Sequence, residues 1–249
     1  MRGQIWEDLK YALRSWRFPA AIIGVMFSLM SGAHMQNSAI ETYLTGSDFG
    51  PLMILCAALP MGDTVAEDFR CRRITVLCLK LGIRQYAVSK FVAVFVAAFL
   101  TVFLGIAGCF LYWSTKLPIW VKVWGDFDVC NGYYLREMLL AGNSIGYMFC
   151  HAAGTATLNA MLVLYALALS VWVHDKLIVH FMPIMIFYVA CFLFWASGIP
   201  YYFSAERLMY GMATDGLPLG AAFAINTLFP GACALLVMIK GVRRTIGYV

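Results

Sequence analysis

The stretch FVAVFVAAFLTVFLGIAGCFLYW, Phe91 to Trp113, carries no charged residue. A helix crosses a hydrocarbon core about 30 Å thick with roughly 20 apolar residues, so this run reads as a membrane span. Working outward, five further apolar runs appear: Phe18 to Met35, Phe49 to Gly62, Ile145 to Val173, Leu177 to Ser197 and Leu217 to Ile239. The composition agrees. Of the 249 residues, 62% are apolar and 12% charged, with a mean hydropathy of +0.79; soluble domains sit near 45–50% and about 25%. Such a chain is too apolar to stay disordered and has too few charges to cover a soluble globule. The expected fold is an all-α polytopic membrane protein, one domain over residues 1–249 with six transmembrane helices. The run from Phe49 to Gly62 is the shortest; it either continues helically past Asp63 or is re-entrant.

Charge placement gives the orientation. With six crossings and both termini inside, the inner segments hold fourteen of the eighteen Lys and Arg residues, and Lys116, Lys122, Arg136 and Arg207 lie outside. This is the positive-inside pattern, and the six bases from Arg70 to Lys90 are what require the second run to cross. The net charge of +5 is therefore a basic inner face less a mildly acidic outer one, not a nucleic-acid patch. Before the first span, residues 1–17 place Ile5, Trp6, Leu9, Ala12, Leu13 and Trp16 on one helical face, the pattern of an interfacial amphipathic helix. Ser31-Gly32-Ala33 resembles a signal-peptidase site, but the segment before it carries Glu7 and Asp8 and this helical pattern, so the first span is expected to be retained. Cys56, Cys109, Cys150, Cys191 and Cys233 lie in or at spans, Cys71 and Cys78 in an inner loop, and Cys130 alone outside, so no disulfide framework is implied.

Motifs of soluble catalysis are missing from the sequence: there is no G-x-x-x-x-G-K-[ST], no H-E-x-x-H and no G-x-S-x-G. His34, His151, His174 and His180 are scattered. No Asp, Glu, Lys or Arg lies between the ends of the spans, which argues against a buried carboxylate relay. The fourth span carries Thr155, Thr157 and Asn159 beside Ala152, Ala156 and Ala160. The alanines repeat every four residues, a helix-packing stripe; the polar residues, with Asn226 and Thr227 of the sixth span, are either packing contacts or substrate-pathway candidates. Pro60, Pro183 and Pro230 are expected to kink their helices.

Residues 63–90 hold nine of the 31 charges in 28 positions. Val76, Leu77, Leu79 and Leu81 form a helical apolar set, Gly82 suits a C-cap, and a second helix is expected from about Arg84 into the third span. In order, Glu67, Thr75, Leu77, Leu79, Arg84, Tyr86 and Lys90 resemble the loop between spans two and three of ABC-2 type transporter permeases. The glycine that usually precedes the Leu-rich part has no counterpart; Arg73 or Ile74 stands there. Chain length, six spans and the N-terminal amphipathic helix extend the resemblance to the whole sequence.

The resemblance implies the permease subunit of an ABC exporter in a bacterial plasma membrane, with residues 63–90 as the coupling loop and Glu67, Arg70, Arg73, Leu77, Arg84 and Tyr86 meeting ABC ATPase subunits. Two permease chains, identical or related, would pair. ATP and magnesium would sit in the partner, because this chain lacks phosphate-binding motifs; no cofactor, metal or nucleic acid is expected here, and no catalytic residue. The outer loops, 114–144 and 198–216, are rich in aromatics that read as a membrane-interface belt or as an exit gate for an amphiphilic substrate, and Leu135 to Leu140 suggests a short interfacial helix. Few charges in the spans suit an amphiphilic cargo such as a peptide, drug or lipid-like molecule, and small permeases of this kind often serve antimicrobial-peptide export. The competing readings are an intramembrane enzyme and a non-transporting scaffold or sensor.

Overall fold

The computed structural model describes residues 2–33, 38–46, 50–120, 135–197, 208 and 218–247. These form eleven helices: α1 (Arg2–Arg14), α2 (Arg17–Gly32), α3 (Ala39–Gly46), α4 (Gly50–Ala58), α5 (Thr64–Arg70), α6 (Arg73–Leu81), α7 (Ile83–Ser114), α8 (Arg136–Leu140), α9 (Ser144–Leu169), α10 (Lys176–Ser197) and α11 (Leu219–Ile246). No strand occurs among the described residues. Four helices, α7, α9, α10 and α11, are long and apolar enough to cross a membrane. The first apolar run is the 16-residue α2. The second is α4, nine residues long, and it ends in a turn over residues 59–63 rather than continuing past Asp63. Trp124, Asp126, Asp128, Cys130, Tyr133 and Tyr134 of the first outer loop, nearly all of the second, and His34 lie outside the described residues.

Helix ends follow local chemistry. The Asn143 side chain accepts from the Gly146 amide at 3.1 Å and opens α9. Asp175 Oδ1 accepts from the Leu177 and Ile178 amides at 2.8 and 3.2 Å and opens α10. Both satisfy amides that a first turn leaves without partners. Gly82 sits at φ 82° between α6 and α7, a left-handed conformation that glycine adopts without strain. The expected break therefore stands at Gly82, with α7 starting at Ile83.

Helices α7 and α9 form the centre. They contact one another more extensively than any other pair of helices, and Ala93, Ala97, Thr101 and Ile106 of α7 and Ala152, Ala156 and Ala160 of α9 are buried. The alanine stripe thus lies on the buried side of α9, where small residues allow close backbone approach. Around this pair lie α2, α4 and α11; α4 is itself enclosed, with Met53, Ile54, Ala57 and Ala58 buried. Helix α10 is the most peripheral of the four long helices and touches α9, α4 and α5. Helix α3, expected as part of a connection, is buried instead: Ser38, Ala39, Ile40 and Thr42 are fully covered, and the Ala39 amide donates to the Pro118 carbonyl at 2.9 Å.

Gly105 is where α2 approaches α7 most tightly; a Cβ there would stand 2.5 Å from Val25 Cγ1. Overpacking of this kind costs about 1–3 kcal/mol. Gly105→Leu is expected to lower the thermal unfolding midpoint in detergent by several degrees, while Gly220→Ala, with nothing within 4 Å of the added carbon, leaves it unchanged or slightly raised.

Candidate functional site

At one end of the bundle the charged residues of five helices converge. Lys90, two turns into α7, places its ammonium 3.2 Å from Asp8 Oδ1 of α1 and 3.1 Å from Asp68 Oδ2 of α5. Tyr86, one turn earlier on the same face of α7, donates its hydroxyl to Asp68 Oδ2 at 2.9 Å. All three α5–α7 partners are buried: Asp68 is 7% exposed, Lys90 6% and Tyr86 1%. Beside this group lies a second. Arg17, at the start of α2, donates to both carboxylate oxygens of Asp63 at 3.2 Å. Lys176, the first residue of α10, reaches Glu67 Oε1 at 3.2 Å and Asp63 Oδ2 at 3.8 Å.

Asp63 stands at the N-cap of α5, yet its side chain makes no capping bond; the carboxylate is turned to Arg17 and Lys176. Lys176 is at the N-terminal end of α10, where the helix dipole disfavours a cation, so Asp63 and Glu67 supply the compensating charge. Together the two groups bind α1, α2, α7 and α10 to the short helix α5. The charges of the Lys90 group are withdrawn from water far enough to be stable only when paired, and removing one partner there costs about 3–5 kcal/mol; Arg17, Glu67 and Lys176 stay about one-third exposed.

Helix α6 follows α5 directly. The turn between them puts Arg72 at φ 55°, the left-handed region usually filled by glycine. On α6, Ile74 and Cys78 face the bundle and Leu77 packs against its core. The outward side is both apolar and basic: Val76 is 53% and Leu79 81% exposed, with Arg70, Arg72, Arg73, Lys80 and Arg84 exposed around them. The buried face of α6 is therefore narrower than the apolar set in its sequence. A cleft of about 710 Å³ opens beside it, lined by Glu7 and Tyr11 of α1, Glu67 and Cys71 of the α5 segment, and Arg73 and Val76 of α6.

The six coupling residues expected from sequence thus divide. Arg70, Arg73 and Arg84 are exposed on the outward side. Leu77 is half-buried, and Glu67 is engaged by Lys176. Tyr86 is enclosed and acts through Asp68. The residues that sequence reasoning did not single out are Asp8, Arg17, Asp63, Asp68 and Lys176. Their signal was present in the i, i+4 pairs Asp63/Glu67 and Tyr86/Lys90, which set two like-facing groups on each helix.

The substrate-pathway candidates are spread along α9 and α11. Thr155 is 1% exposed and Asn159 fully buried. Asn159 donates to the Thr155 carbonyl at 2.8 Å, Thr157 to the Ala153 carbonyl at 2.7 Å and Asn226 to the Ala222 carbonyl at 2.9 Å. Each therefore has a polar partner within its own helix. Tyr165 of α9 links the two helices by donating to the Asn226 carbonyl at 3.4 Å. His151 hydrogen-bonds with the Tyr43 hydroxyl of α3 at 3.0 Å, and His180 Nδ1 donates to the Lys176 carbonyl at 2.7 Å. No cluster of three or more His, Cys, Asp or Glu in metal-holding arrangement occurs among the described residues.

The architecture is that of an all-helical chain with four helices able to cross a membrane and a buried ionic knot at one end. No protein-family model, curated protein or solved structure matches it.

Two outcomes are expected. Lys90→Met leaves Asp8 and Asp68 buried without their cation and lowers stability by about 3–5 kcal/mol, read as a fall in the detergent unfolding midpoint, whereas Arg73→Ala on the exposed side shifts it little. Burial, with the Asp68 carboxylate nearby, pushes the Cys78 thiol up to about 11. The thiolate is the reacting form, so at pH 8 iodoacetamide should modify Cys78 at least about tenfold more slowly than exposed Cys71. The Cys78 rate should still be climbing at pH 10.

Proposed function

We propose that this chain is the membrane subunit of an ATP-driven exporter of the ABC-2 permease kind, working with a separate ATPase and a second permease chain. One observation carries the reading: α6 offers a basic and apolar outward face while its foundation, α5 with its cap Asp63, is ion-paired to α2, α7 and α10 and shares Lys90 of α7 with Asp8 of α1. A force applied to α6 is delivered to helices on several sides of the bundle, because packed and paired elements shift as units rather than deforming continuously. A solvated connector that only fixed topology would need neither the exposed Leu79 nor the buried anchor beneath it.

In this reading the charged end faces the cytoplasm and both termini lie inside. Helix α2 makes the first crossing, about 24 Å long at 1.5 Å per residue, with Arg17 at its inner end. Helices α3 and α4 together make the second, and the four long helices complete six. The outward residues Arg70, Arg73, Leu79 and Arg84 meet the ATPase; Glu67 and Tyr86 transmit from within. The cargo is amphiphilic, moving along a bundle whose interior offers hydroxyls and amides but no mid-depth charge. ATP and magnesium are handled entirely by the partner chain, and the setting is a cell membrane.

The test is affinity purification of the tagged chain from its native cells, with the co-purifying chains identified by mass. A P-loop ATPase is expected. Exchanging Arg73 and Arg84 for Glu and Leu79 for Asp should reduce its recovery at least about tenfold without loss of the chain from the membrane. Recovery of no ATPase, or equal recovery with the exchanged residues, contradicts the reading.

A further inference from the structure

Helix α11 is divided between two clusters of buried side chains. Ala234, Met238 and Val242, in its C-terminal part, join the main core around α7 and α9. Leu219, Ala222 and Phe223, in its N-terminal part, join a smaller cluster with Ile54 of α4, Leu158 and Leu162 of α9 and Phe187 of α10. The division falls at Pro230, inside the helix. The two parts are also held unequally. After Pro230, a Cβ on Gly231 would stand 3.2 Å from Met161 Cε, and one on Gly241 2.9 Å from Val171 Cγ1, so this part lies close against the α9 segment. Before Pro230, Leu228 and Phe229 are 70% and 74% exposed, and nothing lies within 4 Å of a Cβ on Gly220. Helix α10 repeats the arrangement. Its residues in the smaller cluster, Ile184, Ile186 and Phe187, all follow Pro183, while its first residue, Lys176, is tied to Glu67.

A proline interrupts the helix ladder at one identifiable place. The amide of residue 230 would donate to the Asn226 carbonyl, four residues earlier, and proline has no amide hydrogen. That same carbonyl receives the Tyr165 hydroxyl of α9, at 3.4 Å. A side chain of the neighbouring helix thus stands in for the missing donor, as a freed backbone group in a bilayer requires. The separation is at the long end for a hydroxyl bond, so the contact is weak enough to be exchanged. Beside it lies an apolar groove of about 400 Å³, lined by Tyr165 and Leu169 of α9, Ile186 of α10 and Phe229, Pro230 and Cys233 of α11. The ladder is weakest where this space adjoins it, and prolines are where helices bend sharply. We propose that Pro230 is a hinge in α11 and that Tyr165 is its latch. With the bond made, α11 is held on α9. With it broken, the part of α11 before Pro230 and the part of α10 after Pro183, joined by their shared cluster, move as one body about the two prolines. This goes beyond the proposed export by naming the part of the bundle that moves, and it does not depend on the ATPase.

The experiment joins an energetic cycle to a distance measurement. Tyr165→Phe removes the latch donor, and Pro230→Ala restores the amide. In the otherwise unchanged chain, Tyr165→Phe should raise the unfolding equilibrium constant in mixed micelles about threefold, the worth of one interhelical hydrogen bond in a bilayer. In the Pro230→Ala background it should change nothing, because the Asn226 carbonyl then has its own amide. For the motion, spin labels are attached to a keto amino acid at Ile145 of α9 and Gly220 of α11, which keeps the natural cysteines, and their separation is read by double electron–electron resonance in lipid vesicles. Tyr165→Phe should broaden the distance distribution about twofold and Pro230→Ala should narrow it. A control pair at Val92 of α7 and Lys240 of α11, on the part held in the main core, should change in neither. An equal effect of Tyr165→Phe with and without Pro230 overturns the latch, and distributions that neither substitution alters overturn the hinge. Should Pro230→Ala not fold, an unaltered distribution in Tyr165→Phe alone overturns the proposal.

Discussion

The most enclosed cation at the charged end is Lys90, held between Asp8 and Asp68. In water such a pair is worth little, because solvent screens both charges and long side chains lose freedom on pairing. Here the ammonium and the Asp68 carboxylate are almost fully enclosed. Neither can be left alone, because an unpaired charge in a low-dielectric setting costs several kcal/mol. The pair therefore fixes geometry more than it adds net stability. It sets where α1 lies on α7 and how α5 is rotated, with Tyr86 holding the second carboxylate by its hydroxyl. The rotation of α5 then determines that α6, beginning three residues after it, shows Leu79 and its arginines outward.

The rest of the bundle contrasts with this end. Both α7 and α9 bury several alanines, and the mid-helix hydroxyls and amides bond back to carbonyls one turn earlier. Such an interior has small side chains and no charge, so it resists opening mainly through packing. Helix α10 is different again. It has a thin buried face and one ionic tether, Lys176 to Asp63 and Glu67, and Pro183 within it lacks the amide that would complete the ladder. The helix with the least packing is thus tied directly to the segment that carries α6, which gives motion of α6 a short physical route into the membrane-embedded part.

Much of this was legible beforehand. The hydropathy of Phe91 to Trp113 and of the other long runs reports a local property, helix length in an apolar solvent, and the structure returns four of them as long helices. Gly82 marked the end of α6 because positive φ is a property of one residue. The shorter runs were harder. Phe49 to Gly62 contains Pro60, expected only to kink a helix; instead α4 ends at Ala58 and Pro60 lies in the turn over residues 59–63, as the bias against helix at the residue before a proline favours. The buried position of α3 was equally invisible, since the segment between the first two apolar runs shows no long hydrophobic pattern and its burial rests on contacts such as Tyr43 with His151 across 108 residues of sequence. At the candidate site, exposed Arg70, Arg73 and Arg84 were placed in a charged loop, Arg84 also by its place in the order of the resemblance. Tyr86 was placed among them because its order matched, but whether an aromatic points outward or inward depends on Asp68, and that pairing belongs to tertiary structure. Asp8, Asp63 and Asp68 were counted only as negative charge, which conceals that each has a specific cation.

The central claim is that α6 is the surface through which another protein's ATP hydrolysis reaches this chain. A photo-reactive phenylalanine derivative introduced at Leu79, the most exposed apolar residue of that helix, and irradiated in living cells tests it most directly. The account predicts one dominant protein adduct whose sequence contains a phosphate-binding loop. Adducts with lipid alone, or with no ATPase, would contradict it.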